Sequence, residues 1–402
     1  MKKYYIVVTP FFPTQESFRG PFIYDQVKAL KKVSDYEVVV FKPTTSNDKR
    51  VFYEYDGIRV YLFKTRQTPS YIFNGLFNGY NSRNFVKSLR DAGIDIDSIC
   101  AVHCHTAPMG ACGIELKKHN HKIKVLLQHH DKDPFMILNG RLANWKPNSL
   151  YRAKKNIEIF NNVDTHVCIS SACKGNLLAF PSASNKEQYR PYLSKLDNLR
   201  SLSPISPRQT VILYNGVDIS KFYNRDKRRS DGFTIGCIAN FIPLKGQQDL
   251  IKAVADFLRR SHVENVSLKF IGSGPTKENC QQLCTELGIE NMVEFLEEVH
   301  HEKLIDFYNT LDLFVLPSYF DGFGCVCLEA YACGVPFMIS KNQGACEYFD
   351  KKEEDDWSFY AGDYNRLSEL IERYYYKRKP QKVLYPIDIN MLVADFLKEV
   401  GL

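Results

Sequence analysis

Residues 316–347 read LPSYFDGFGCVCLEAYACGVPFMISKNQGACE. An apolar run closes at Pro317, glycines follow at Gly322 and Gly324, and a helical run, CVCLEAYACG, leads to Gly334 just past its end. A second apolar run, VPFMIS, comes next. Strand, glycine turn, helix and strand is the order of an α/β unit. The glycines allow close backbone approach, and the helix start exposes N–H groups where a diphosphate would meet the positive dipole end. Two acids frame the turn. Asp321 has an ordinary alternative use as a helix cap. Glu329 stands between Leu328 and Ala330 in an otherwise apolar run, where a charge needs a partner. Ribose hydroxyls would supply one.

Working outward, the same alternation continues on both sides. Strands are expected at 232–240, 267–274, 292–298 and 312–318, with helices at 247–260, 279–289 and 302–311 between them. In the first half, strands are expected at 4–10, 36–43, 58–65, 98–103, 123–130 and 163–170, with helices at 22–33 and 172–181. Residues 181–210 change character: they are polar, carry Pro181, Pro191, Pro204 and Pro207, and end SLSPISPRQT. The pattern restarts at TVILYNGVD. This predicts an α/β chain of two doubly wound domains facing across a cleft: 1–185, a linker at 186–210, and 211–380. A terminal helix within 381–402 crosses back to the first domain. Ligands in such sheets bind beyond the carboxyl ends of the strands.

The length, 402 residues, suits two domains of ~200 residues each. Charge is uneven. Residues 1–200 hold 30 Lys+Arg and 17 Asp+Glu, a balance of +13; the whole chain has 53 and 46, so the remainder holds 23 and 29, a balance of −6. Two readings stand: scattered solubility charge, or a first domain that meets an anionic surface such as a phospholipid leaflet or a lipid-phosphate acceptor. Nucleic acid is not expected, because no recognition element accompanies the basic residues. The twelve Cys form no secreted framework, and a reducing, cytoplasmic setting is expected. Absence of an 18-residue apolar run leaves no membrane span. His103 and His105 would share one strand face and Cys280 and Cys284 one helix face, but no further ligands stand near either pair, so no metal is expected.

The 316–347 stretch resembles the signature of the family 4 retaining glycosyltransferases, which adopt the GT-B fold of two Rossmann-like domains. The matching residues are Asp321, Gly322, Phe323, Gly324, Glu329, Gly334 and Pro336, followed by Gln343, Gly344 and Glu347. The resemblance assigns Asp321 to the sugar hydroxyls, Glu329 to the ribose, and the backbone from Gly322 through Phe323 and Gly324 to the sugar and diphosphate. The first acid is Asp here where the family usually has Glu, one methylene longer. Residues 9–30 resemble the family's first loop, with Gly20 near the donor phosphates. LQHHDKDP resembles its strand-end histidine element, aligning His130 with the histidine and Asp133 with the aspartate, while Asp131 stands where the family has glycine. A shift by one would select His129. Lys245 matches a phosphate-contacting lysine, Asn240 occupies a position that is often Arg, and Gly272 and Gly274 match a loop near the base.

The resemblance implies transfer of a hexosyl group from a UDP-sugar or GDP-sugar with retention at the anomeric carbon, without metal or cofactor. Lys245 and the helix start would neutralise the leaving diphosphate. His130 would bind and orient the sugar. The acceptor is expected to be a glycan, carried on a polyprenyl diphosphate at the cytoplasmic leaflet, in capsule, O-antigen or related surface polysaccharide synthesis. An aromatic stretch at 71–85 fits such an acceptor, and fits the core slightly better. Two other readings stand beside this one. The first is another use of the fold: a soluble glucan or small-sugar transferase, or a nucleotide-sugar hydrolase or epimerase. The second is a non-enzymatic partner subunit.

Overall fold

The computed structural model describes residues 2–15, 20–69, 72–130, 133, 137–138, 141–142, 146–179, 202–225, 232–341 and 343–402. Contacts divide it into two units, Met1–Tyr214 with Asn390–Leu402, and Asn215–Ile389.

The first unit runs β1 (Tyr4–Val8), α1 (Pro21–Val33), β2 (Glu37–Thr44), β3 (Phe52–Tyr55), β4 (Ile58–Lys64), α2 (Asn78–Asp91), β5 (Ile99–His105), α3 (Ala107–Lys117) and β6 (Lys124–His129). It continues with a small hairpin, β7 (Ile137–Leu138) and β8 (Arg141–Leu142), then α4 (Lys146–Phe160), β9 (Thr165–Cys168), α5 (Ser171–Ala179) and β10 (Thr210–Ile212). The sheet order is β10-β9-β6-β5-β1-β2-β4-β3, parallel except for the β3–β4 pair. Near-continuous apolar strands such as YYIVV and KVLLQH fit a parallel sheet buried on both faces. Strand order reverses between β1 and β5, which is where such sheets receive ligands.

The second unit runs β11 (Phe233–Ile238), α6 (Gln247–Ser261), β12 (Val266–Ile271), α7 (Lys277–Glu286), β13 (Val293–Leu296), α8 (Leu304–Tyr308) and β14 (Leu313–Leu316). It continues with α9 (Cys325–Ala332), β15 (Phe337–Ser340), α10 (Glu354–Trp357), β16 (Ser358–Phe359) and α11 (Tyr364–Lys377); α12 (Ile389–Glu399) follows. The sheet is wholly parallel, in the order β13-β12-β11-β14-β15-β16, with its reversal between β11 and β14.

Three expectations change. TVILYNGVD does not open the second domain: Thr210, Val211 and Ile212 pair in parallel with His166, Val167 and Cys168 and extend the first sheet. Leu202 and Ile205 are buried in the first unit's core, so the end of the expected linker is tied to that unit by apolar burial; residues 186–201 lie outside those described. The second unit extends to Ile389, because Val217 N–H donates to the Ile387 carbonyl and Ile389 N–H to the Val217 carbonyl. Residues from Asn390 onward belong to the first unit. At the Tyr-rich end of α11, Tyr374 is buried, Tyr375 packs on Phe233 and Phe257, and Tyr376 is exposed, while Arg378 covers the Phe233 ring and pairs with Asp312.

Candidate active site

In the second unit the chemistry gathers at the β11/β14 reversal. Beyond β11 the chain makes a single tight turn, Pro243–Lys245, before α6. Gln247 holds this loop by donating from Nε2 to the Asn240 carbonyl at 3.0 Å, and Tyr319 N–H donates to the Leu244 carbonyl at 2.8 Å. The loops after β11 and β14 are thereby fixed to each other. Lys245 Nζ lies 2.6 Å from Asp321 Oδ2, and both side chains are about one-fifth exposed, at 21% and 23%. Asp321 N–H donates to Gln343 Oε1, whose Nε2 donates in turn to the Ser318 carbonyl at 3.1 Å. The residues assigned to phosphate and to sugar therefore meet as an ion pair.

Glu329, on α9, is buried but not without partners, as its sequence context suggested. Tyr308 hydroxyl donates to Oε2 at 2.7 Å, and His301 Nε2 lies 2.9 Å from Oε1. Phe222 packs against both rings. Gly324 precedes α9 with φ 91°, giving the chain its turn into the helix. Phe323 has a buried side chain, edge-on to Tyr348 at 6.1 Å between centroids. The Phe323 carbonyl accepts from Ala345 N–H, and Gly322 lies against Gly344. Gly272 and Gly274 serve backbone packing: a Cβ at Gly272 would stand 2.2 Å from the Ala239 carbonyl oxygen, and at Gly274 2.4 Å from that of Phe241. Asn240 is exposed on the same loop.

In the first unit, strand register gathers histidines from β5, β6 and β9. His105 pairs with Gln128 and His129 with Cys168 across the ladders. His103 and His105, two apart on β5, stack at 4.7 Å, while Cys104 between them enters the core. His130 stacks on His105 at 5.2 Å and 12°, with its Nε2 2.9 Å from His105 Nδ1. Phe22, in the first turn of α1, packs on His130 at 5.1 Å. Gly20 stands immediately before that turn against the Phe11 carbonyl, so Gly20 and His130 are brought into one neighbourhood. Asp131 lies outside the described residues.

His129 belongs to a separate chain of bonds. Its Nδ1 is 2.7 Å from Asp133 Oδ2 and its Nε2 2.8 Å from His166 Nδ1, while His166 Nε2 is 2.9 Å from the Phe160 carbonyl. Proton positions follow from donor counting. A carbonyl only accepts, so His166 carries its proton on Nε2 and accepts on Nδ1. His129 therefore donates from Nε2, and facing an ionised Asp133 it donates from Nδ1 as well. This makes His129 an imidazolium. Burial opposes that charge, but the Asp133 carboxylate more than offsets it and raises the His129 pKa. Burial lowers His130 to about 3, with the neighbouring His129 charge adding to the effect. Burial likewise lowers His103 and His166 to about 3. Adjacent histidines are thus pushed in opposite directions, His129 toward the cation and His130 toward the neutral ring. Both ring nitrogens of His129 are engaged within the protein, whereas the His105 contact uses only Nε2 of His130.

Comparison with known proteins matches two segments, one within each unit. Residues 218–386 match the family described as Glycosyl transferases group 1, and residues 20–186 match Glycosyltransferase Family 4. Sucrose-phosphate synthase of Thermosynechococcus elongatus superposes with a TM-score of 0.66 at 17% identity, over 99% of this chain and 94% of that one. HepE of Anabaena, solved with UDP and glucose, gives 0.61 at 16%, over 99% and 95%. The fold is GT-B. Among curated relatives, a D-inositol 3-phosphate glycosyltransferase of Corynebacterium efficiens is 33% identical over 36% of this chain and 35% of its own length. A GDP-mannose-dependent alpha-(1-6)-phosphatidylinositol monomannoside mannosyltransferase of Mycolicibacterium smegmatis is 30% identical over 39% and 45%. The chain thus spans under half the length of these relatives.

The group 1 segment of the GT-B chain holds Lys245, Asp321 and Glu329, and the family 4 segment holds Gly20 and His130. Sequence reading missed four partners of the candidate residues: His301 and Tyr308 beside Glu329 in the second unit, and His105 and His166 beside His130 and His129 in the first. A signal existed only for His105, through its shared strand face with His103. Among the described residues no group of three or more His, Cys, Asp or Glu is disposed to hold a metal ion, and no helix is long and apolar enough to cross a membrane.

Proposed function

We propose that this chain is a retaining glycosyltransferase that moves a hexosyl group from a UDP-sugar or GDP-sugar to a glycan acceptor carried on a polyprenyl diphosphate. Its place would be at the cytoplasmic face of the membrane, in assembly of a bacterial surface polysaccharide. The observation that carries this reading is the Lys245–Asp321 pair at the β11/β14 reversal, beside a glycine-opened helix start. An arriving donor offers Lys245 a diphosphate and Asp321 a sugar hydroxyl. Each charge exchanges one partner for another, which keeps both placed for the departing diphosphate. Glu329 accepts one bond on each oxygen and retains lone pairs for ribose hydroxyls. His130, neutral and partly exposed, contacts and orients the sugar. The leaving phosphate helps take the acceptor proton, so no side-chain nucleophile and no metal enter the scheme.

A panel of nucleoside diphosphate sugars, with and without membrane extract, tests the reading through nucleoside diphosphate release and the anomeric configuration of the product. Wild type should release nucleoside diphosphate only with acceptor present. Lys245→Ala and Glu329→Ala should each lose roughly 100-fold or more in kcat. Full activity in both variants would place the site elsewhere. Release without any acceptor would mark a hydrolase, and an inverted product would remove retention.

A further inference from the structure

Asp321 sits in the irregular segment between β14 and α9, and that segment has to keep its place while the carboxylate exchanges Lys245 for a ligand. β14 lies between β11 and β15 in the sheet, so the segment has a neighbouring loop on either side. From the β11 side, the Leu244 carbonyl accepts from Tyr319 N–H at 2.8 Å. From the β15 side comes the side chain of Gln343, which is 3% exposed. Gly344 lets the two chains run close together. A Cβ there would stand 2.6 Å from the Phe323 ring and 3.1 Å from Phe323 Cα, so the approach depends on glycine. Ala345 N–H then donates to the Phe323 carbonyl at 2.8 Å.

Gln343 spans the segment. Its Oε1 accepts from Asp321 N–H, and its Nε2 donates to the Ser318 carbonyl at 3.1 Å. The amide has one orientation here, because a backbone N–H must face its oxygen and a carbonyl must face its nitrogen. One planar group thereby fixes two backbone groups of the turn that carries the acid, one of them on the acid itself. Among side chains of this length only the amide meets both partners. Glu has no donor for the carbonyl when ionised, Lys has no acceptor for the N–H, and Met offers only a weak acceptor.

We infer that Gln343 is a positioning residue that sets where the Asp321 carboxylate meets the donor sugar, and so determines which arrangement of sugar hydroxyls the site prefers. Being buried, it acts through the backbone of residue 321 rather than on a ligand. A carboxylate selects one hydroxyl over its epimer only while its oxygens are held within hydrogen-bond range of one position and not the other. The Lys245 pair cannot do this holding, because a bound diphosphate draws the lysine away. The bonds to Gln343 and Leu244 remain when that pair opens, since neither involves the carboxylate. The inference rests on the proposed assignment of Asp321 to the sugar and of Lys245 to the diphosphate. It therefore separates the two recognitions: sugar choice depends on Gln343, and nucleoside diphosphate affinity does not.

Isothermal titration of the full chain tests it with pairs of donors that differ at one hydroxyl: UDP-glucose and UDP-galactose, UDP-N-acetylglucosamine and UDP-N-acetylgalactosamine, GDP-mannose and GDP-glucose. Bare UDP and GDP are titrated beside them. Wild type should prefer one member of at least one pair. In Gln343→Met, which keeps the volume and loses both bonds, that preference should shrink by roughly tenfold while UDP or GDP affinity stays within about twofold. Gln343→Asn keeps the amide but withdraws it by one methylene, so its preference should fall between those of wild type and Gln343→Met. Asp321→Asn should lose the preference too, and adding Gln343→Met to it should lower the preference no further, because one residue acts through the other. An unchanged preference in the two Gln343 variants, additive losses in the double variant, or a fall in UDP or GDP affinity as large as the fall in preference would overturn the inference. Equal affinity for both members of every pair in wild type would overturn it as well. Wild type that binds neither UDP nor GDP defeats the donor assignment, and this inference with it. Intact nucleotide binding with any of the other adverse results defeats this inference alone.

Discussion

Two ion pairs illustrate how the two units handle charge. Lys245 and Asp321 meet with about one-fifth of each side chain exposed, whereas His129 meets Asp133 with its ring 1% exposed and its second nitrogen engaged by His166. The first pair is reachable and therefore exchangeable, since an anionic ligand can take the lysine and a hydroxyl the aspartate. In the second the histidine is sealed while Asp133 keeps 14% of its side chain exposed, so the charge on His129 acts through its field on neighbours, of which His130 is the nearest in sequence. A partly exposed pair contributes little to stability and is free for function. A sealed pair contributes to stability through the cost of breaking it.

The largest effect should come from splitting the sealed pair. Asp133→Asn leaves a buried imidazolium uncompensated and should cost about 3 kcal/mol, read by denaturant unfolding. A loss below about 1 kcal/mol would show that His129 is neutral and that the two pairs are alike. An intermediate effect should appear in pH. Unfolded histidine takes up its proton near pH 6.5, while folded His103, His130 and His166 resist until about 3. Across that window the unfolded chain binds more protons. Stability is therefore full above pH 6.5, and below it each of these three histidines should remove about 1.4 kcal/mol per pH unit. His129 works in the opposite sense, because its raised pKa favours the folded state below pH 6.5 and that contribution fades as pH rises through the folded value. A flat unfolding midpoint between pH 7 and 5 would remove the neutral column. The smallest effect should follow Lys245→Met: under about 1 kcal/mol in stability, with nucleotide affinity clearly reduced. A stability loss as large as that of Asp133→Asn would make the exposed pair structural.

What could be read from sequence was what lies close along the chain. Asp321, Gly322, Gly324 and Glu329 fall within nine residues, and one strand-to-helix turn is enough to place them. The apolar runs likewise declared their strands, because strands buried on both faces cannot carry many polar residues. Relations set by register and helix packing stayed hidden. Nothing local says that His129 will meet His166, 37 residues away, or that Tyr308 and His301 will close on Glu329. The strand Thr210–Ile212 was assigned to the wrong unit for a related reason: a polar, proline-bearing segment precedes it, yet its partner is β9. A three-residue edge strand carries too few side chains to announce its sheet.

The return of α12 to the first unit has a consequence for synthesis. His103, at the far end of the stacked column from His130, lies against Phe396 at 5.8 Å and 29°, and Lys124 is bonded to the Val400 carbonyl. The first unit's histidine column thus gains its last ring from a residue translated nearly 300 positions later. Domains generally begin to fold as they emerge. This one must wait through translation of the entire second unit before its core is closed. A nascent chain holding residues 1–214 alone would present the Phe396-facing side of His103 to solvent, so quality control that senses open cores has a long interval in which to act on it.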